Sequence, residues 1–178
     1  LMITNGTEDL CIAGVYGGLN SGVSDQTTTI FLESAYFNPV SVRKTAREHG
    51  LNTDASFRFE RGVDPSLTKY ALQRVASIIA EIAGGKQASN LIEIGEMEQT
   101  RIVEFNVDRG NRLIGIQLSK EDTVKILANL DIRVISENGN DLKLEVPAYR
   151  VDVTRESDIV EEILRIYGFN NVPLPEKM

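Results

Sequence analysis

Two kinds of periodicity alternate along the chain, and they predict its elements. Met2–Thr4, a turn at Asn5-Gly6 and then Leu10–Val15 read as a β-hairpin. A glycine-rich stretch follows, from Gly14 to Gly22. Thr27–Ser34 (TTTIFLES) is β-branched and predicts a buried strand. Asn38-Pro39 opens a helix, with asparagine as N-cap and proline at the first helical position, and Gly50 ends it. The same device at Asp64-Pro65 opens a longer helix. Leu67, Ala71, Val75, Ile78, Ile79 and Ile82 lie on one face of it, and Gly84-Gly85 stops it.

Residues 85–100 (GKQASNLIEIGEMEQT) are polar with one short apolar run, which places a linker over residues 87–98. Beyond it the pattern restarts with a strand at Ile102–Phe105 and a short helix from Asn106 to near Gly115. Ser119-Lys120-Glu121-Asp122 is a capping box for a helix reaching about Leu130. Ile132–Ile135 and Leu142–Val146 flank Asn138-Gly139, a strong hairpin signal, and a final helix covers about Arg155–Tyr167 before Gly168. The reading is two α+β domains, residues 1–86 and 99–176.

Composition narrows the classes. At 42% hydrophobic and 25% charged, 178 residues can bury real cores, and no apolar run reaches the length of a membrane span. The start, Leu1-Met2-Ile3-Thr4-Asn5, has no signal-peptide pattern and reads like the middle of a strand, so the chain is expected to be part of a longer one. A single cysteine, Cys11, excludes a disulfide framework, and a single histidine, His49, excludes a Cys/His zinc site. A reducing, cytoplasmic setting is expected. The net charge of −7 is uneven: residues 1–86 carry 8 Lys and Arg against 9 Asp and Glu, and residues 87–178 carry 11 against 17. Neither half is the broadly basic surface of a sequence-independent nucleic-acid binder, although a local patch can act within an acidic chain.

Four clusters carry candidate chemistry. Gly14, Gly17, Gly18 and Gly22 fit neither a dinucleotide fingerprint nor a phosphate loop, leaving tight turns or a pocket wall of bare backbone. Glu33 ends an otherwise apolar run; it is either a rim carboxylate or an acceptor placed to read a polar group in a pocket. Arg58, Glu60, Arg61 and Asp64 predict an ion-pair network around Gly62. Asp158, Glu161 and Glu162, at i, i+3 and i+4, share a helix face close to Asp152. Such a set requires a cation, an arginine partner or full solvation. No Ser/His or Cys/His nucleophilic pair is present.

These residues carry a resemblance. Phe31–Gly50 (FLESAYFNPVSVRKTAREHG), continued by LNTDASFRFERGVDP to Pro65, resembles the β subunit of bacterial phenylalanine–tRNA ligases. Val146–Pro173 (VPAYRVDVTRESDIVEEILRIYGFNNVP) resembles the domain that follows in the same family. The resemblance implies that residues 1–86 are the C-terminal part of a mixed α/β tRNA-editing module. A small helix-and-hairpin domain of winged-helix-like, DNA-binding-like architecture would follow. It implies that the acid matching Glu33 reads the tyrosine hydroxyl of a mischarged tRNA. Thr53 and Ala55 would line that pocket, and Gly14 and Gly17 would supply backbone wall. It implies magnesium on Asp152, Asp158, Glu161 and Glu162, shared with an α subunit, and ATP used on that α subunit. The implied partners are the α subunit in an α2β2 heterotetramer, tRNA(Phe) and its misattached tyrosyl group, with no membrane. Asn52 and Phe57 stand where many relatives carry histidine. The competing expectation is a non-catalytic module that docks tRNA or the partner subunit.

Overall fold

The computed structural model describes residues 1–95 and 100–173. Contacts divide the chain into two compact units, Leu1–Glu98 and Gln99–Met178. Each is mixed α+β, built on its own small antiparallel sheet. Of the linker expected over residues 87–98, 87–95 form no helix or strand, and 96–98 lie outside the described residues.

In the first unit the expected hairpin forms. Strands β1 (Met2–Thr4) and β2 (Asp9–Ile12) pair antiparallel, with Ile3 opposite Cys11. Asn5 Oδ1 organises the turn by accepting from the Thr7 and Glu8 N–H groups at 2.9 and 2.8 Å. The chain then doubles back into a two-residue strand, β3 (Tyr16–Gly17), which sets Cys11 opposite Gly17. Gly14 makes this second turn possible: its φ is +66°, and a Cβ there would lie 2.8 Å from the Phe37 ring and 3.2 Å from the Phe59 ring.

The buried strand expected at Thr27–Ser34 is not there. Thr27 closes a local turn, accepting the Ser24 N–H on Oγ1 at 2.8 Å and donating its own N–H to Ser24 O at 3.0 Å. The residues after it run without ladder partners among the described strands, and Phe31 is 90% exposed. β propensity describes a side chain that suits a pleated surface; without a neighbouring strand it creates no ladder.

Helix α1 (Pro39–Glu48) starts as the sequence dictates, with Asn38 Oδ1 accepting the Ser41 N–H at 3.0 Å. A short helix, α2 (Asp54–Phe59), has no counterpart in the sequence expectation. After a 3₁₀ turn at Pro65–Leu67, capped by Asp64, α3 (Thr68–Ala83) runs to Gly84. The core here is small: Val15, Val42 and Ala46, backed by Ile12, Phe37, Leu51 and Phe59.

The second unit packs more deeply. Strands β4 (Arg101–Asn106), β5 (Arg133–Asn138) and β6 (Asp141–Val146) form a sheet in the order β4-β6-β5. Helices α4 (Val107–Ile114), α5 (Lys120–Ala128) and α6 (Glu156–Tyr167) complete it. Ser119 caps α5 as read from sequence, accepting from the Asp122 N–H at 3.0 Å, and Asn106, where a helix was expected to begin, caps α4 by accepting from the Arg109 N–H at 2.9 Å. Leu127, Leu144, Ile159 and Ile163 are among thirteen buried apolar residues forming one cluster.

Candidate functional site

The first set of expected site residues gathers around the β2–β3 turn. Thr53 has two duties, both set by its place before α2. Its Oγ1 accepts the Ser56 N–H at 3.0 Å as an N-cap, and it donates to the Val15 carbonyl at 2.7 Å. The second bond fastens the start of α2 to the turn between Gly14 and Gly17. Ala55 follows in the first turn of α2 and is exposed. Of the glycines, Gly14 is required by packing, whereas a Cβ on Gly17 would meet nothing within 4 Å. Gly18, outside the expected set, is the tighter case, because a Cβ there would fall 2.0 Å from the Leu10 carbonyl.

Glu33 joins this neighbourhood through charge. It lies close enough to Cys11 that its carboxylate helps raise the thiol's pKa, after the larger effect of burial. The Glu33 residue is exposed overall, yet neighbouring protein displaces enough water from its carboxyl to push its pKa up. An ionised carboxyl is acceptor-only, so an exposed one in this position is suited to accept a hydrogen bond from a ligand hydroxyl.

The ion-pair network expected around Gly62 contracts. Among the described residues it is one pair, Arg61 to Glu60 at 2.9 Å, while Asp64 caps the following turn by accepting from Ser66 N–H at 2.9 Å. Arg61 instead stacks on Phe57, its guanidinium carbon 3.5 Å from the ring centroid.

The second set, the four acids at α6, is divided rather than gathered. Asp158, third residue of α6, reaches back to the helix start. Its Oδ2 accepts the Thr154 and Arg155 N–H groups at 2.9 and 3.0 Å. These bonds, the Thr154 N–H above all, hold its pKa down to about 2. Glu162 is 2% exposed and committed to two arginines. Its Oε1 accepts from Arg165 at 2.9 Å, and its Oε2 pairs with the Arg150 guanidinium by charge rather than through an aligned hydrogen bond. Glu161 and Asp152 are exposed. The single shared face fails because residues 161 and 162 are 100° apart on a helix, so one meets solvent and the other the core.

Of the four carboxylates, two thus have partners within this chain and two are open to solvent. Among the described residues no group of three or more His, Cys, Asp or Glu side chains is placed to hold a metal. A hard cation wants oxygens free to turn toward it. Glu162 and Asp158 are already engaged, which leaves Asp152 and Glu161 open.

Sequence reasoning missed α2 and the Glu162–Arg150 pair. Thr53 and Ser56, three apart at the head of DASFRF, were the available sign of the first. For the second, Glu162 lies three residues after Ile159 and next to Ile163, both buried, so a helical wheel already sets it at the core's edge. A separate groove of about 620 Å³ in the second unit, between α5 and β5, includes none of the expected residues.

Comparison with known proteins agrees with this two-part architecture. Residues 1–84 match the family model of the B3/4 domain, and residues 103–169 match that of the tRNA synthetase B5 domain. Over the full chain there is 49% identity to the phenylalanine–tRNA ligase beta subunit of Bacteroides fragilis strain YCH46, 22% of whose length is covered. The corresponding protein of Porphyromonas gingivalis is 50% identical over 98% of this chain and 21% of its own length. That of Geobacillus kaustophilus is 42% identical over 97% of this chain and 22% of its own. The chain thus spans about a fifth of the length of these relatives. With both domain models matched in order, and with identity sustained from end to end, the chain belongs to the phenylalanine–tRNA ligase beta-subunit family.

Proposed function

We propose that this chain works as part of a phenylalanine–tRNA ligase, and that its first unit contributes to proofreading. The task is to hydrolyse tyrosine wrongly esterified to tRNA(Phe). The observation that supports it most is the Thr53–Val15 hydrogen bond. It ties the start of α2 to the Gly14–Gly17 turn, and Glu33 is close enough to Cys11, at the foot of that turn, to act on its thiol.

The physical need for such a site is clear. An apolar phenylalanine pocket rejects an isostere carrying one added hydroxyl by only about a hundredfold. A second site that seeks the hydroxyl removes the error. Glu33 would accept a hydrogen bond from the tyrosine hydroxyl, Ala55 would leave room for the ring, and Gly17 would present bare backbone. The ester is already activated, so a positioned water suffices as nucleophile.

The second unit would meet the α subunit of an α2β2 assembly in the cytoplasm, where ATP-dependent charging takes place. Magnesium shared across that contact has Asp152 and Glu161 available in this chain, with Asp158 and Glu162 serving the fold that presents them. A module that only docks tRNA or the α subunit is the competing reading, and one experiment separates them. Assembled α and β subunits, and this chain alone, are assayed for phenylalanine charging and for Tyr-tRNA(Phe) hydrolysis. The expected result is both activities in the assembly and neither in the chain alone. An assembly that charges but leaves Tyr-tRNA intact would overturn the proofreading reading.

A further inference from the structure

We propose that the exposed face formed by α1 and α2 binds single-stranded RNA. Arg43, Arg47 and Arg58 would meet phosphates, and the Phe57–Arg61 stack would form a platform for a base. The inference rests on the proofreading reading for its choice of partner, and on the following features for its location.

Charge comes first. Five of the eight Lys and Arg in residues 1–95 fall between positions 43 and 61 (Arg43, Lys44, Arg47, Arg58, Arg61), and all five are exposed. In a chain of net charge −7 this is a local reversal of sign. Phosphate contacts dominate nucleic-acid affinity, and a basic patch steers a polyanion even on an acidic protein.

Geometry comes second. Arg43 and Arg47 are one turn apart on α1. Arg43 reaches across to α2, donating from Nη2 to the Glu60 carbonyl at 2.9 Å. Arg61 donates from Nη1 to the Phe57 carbonyl at 2.8 Å and to Glu60 Oε1 at 2.9 Å. The two guanidinium groups thus converge on Glu60, and that of Arg61 lies over the ring of Phe57, a residue that is itself 53% exposed. RNA bases in unpaired segments stack on aromatic rings and on guanidinium planes. A stack already formed loses little side-chain freedom when a base joins it. A simply solvated basic face requires neither the convergence nor the stack.

Position comes third. Ala55 and Arg58 are i and i+3 on α2, and Thr53 caps the same helix. An RNA end whose terminal ester lies against Thr53 and Ala55 would pass its preceding phosphates over Arg58 and on to the arginines of α1.

The test is fluorescence anisotropy of the full chain with a labelled single-stranded RNA of about twelve nucleotides, titrated at several salt concentrations. Three phosphate contacts imply a log–log salt slope near −2, at about 0.7 per contact on single strands. Affinity should then fall about twentyfold when salt is raised fourfold. The triple variant Arg43→Gln, Arg47→Gln, Arg58→Gln should lose at least tenfold in affinity at low salt and flatten the slope toward zero. The same three positions changed to Lys should keep the slope, which separates lost charge from lost folding. Phe57→Ala should weaken binding at every salt concentration and leave the slope unchanged. No binding by the wild-type chain, or an unaltered slope in the Gln triple, overturns the proposal. Tyr-tRNA hydrolysis by the assembled enzyme is scored separately. Hydrolysis with an unaltered slope rejects this surface alone, and an altered slope without hydrolysis rejects the proofreading reading alone.

Discussion

The two units show the same helical and strand periodicities and put them to different use. In residues 100–173, α4, α5 and α6 pack with a sheet, and thirteen apolar side chains are buried together. In residues 1–95 the buried cluster has three members, and α3, sixteen residues long, has none. Leu67, Val75 and Ile82 on its apolar stripe are 54%, 44% and 80% exposed. Amphipathic spacing states which face seeks cover; it does not supply the cover. The difference extends to polar groups. The second unit buries Glu162 against Arg150, with the half-exposed Arg165 as its other partner, whereas the first keeps its acid and its arginines at the surface.

The buried Glu162–Arg150 pair is where the comparison can be broken most forcefully. Glu162→Gln leaves Arg150, 15% exposed, without its partner, and should cost about 3–5 kcal/mol, the range for one-sided removal of a buried pair. Urea unfolding followed by circular dichroism measures it. Replacing Arg150 and Glu162 together by Met and Leu should cost less than either single change, because no uncompensated charge remains. If Glu162→Gln instead leaves stability untouched, the carboxylate is not part of the core and the magnesium reading for it revives.

Core truncation gives the next largest contrast. Leu144→Ala should cost about 2–5 kcal/mol. Val42→Ala in the first unit should cost about 1.5 kcal/mol, two carbon groups at about 0.8 each in a cluster small enough to relax. Equal costs would show that the two cores are equally well packed.

Much of this was legible in the sequence, and its failures share a cause. Asn38 and Ser119 cap their helices as read, and Asn138-Gly139 turns the second hairpin, because those signals act over three or four residues. Thr27–Ser34 misled because a strand requires a neighbour that local sequence does not name. The acids of α6 misled for a similar reason. Arg150 is twelve residues from Glu162, and only the fold brings its guanidinium to that carboxylate. Thr53 and Ala55 were singled out only through family resemblance, and the bond from Thr53 to the β2–β3 turn joins residues 38 apart, which no local signal names.

Two smaller effects sharpen the comparison. Thr53→Val removes the α2 cap and the tie to Val15, and should destabilise the first unit by about 1–2 kcal/mol, the upper half of the capping range, with no effect on the second. Hydrogen exchange resolved by segment reads both units at once. Asp158 provides the pH counterpart. Its folded pKa, about 2, lies below the ordinary 3.8, so its stabilisation is fully present above about pH 4 and is lost as pH falls toward 2. Asp158→Asn should cost about 1 kcal/mol at neutral pH and flatten stability across that acid window.

The proposed proofreading role depends most on Glu33, and single-turnover hydrolysis of Tyr-tRNA(Phe) by the assembled heterotetramer tests it most directly. If its carboxylate accepts the tyrosine hydroxyl, Glu33→Ala should lose about 1.5–3 kcal/mol of transition-state stabilisation, roughly a ten- to 150-fold slower reaction, while phenylalanine charging stays at the wild-type rate. Equal loss of both activities, or hydrolysis at the wild-type rate, would contradict the account.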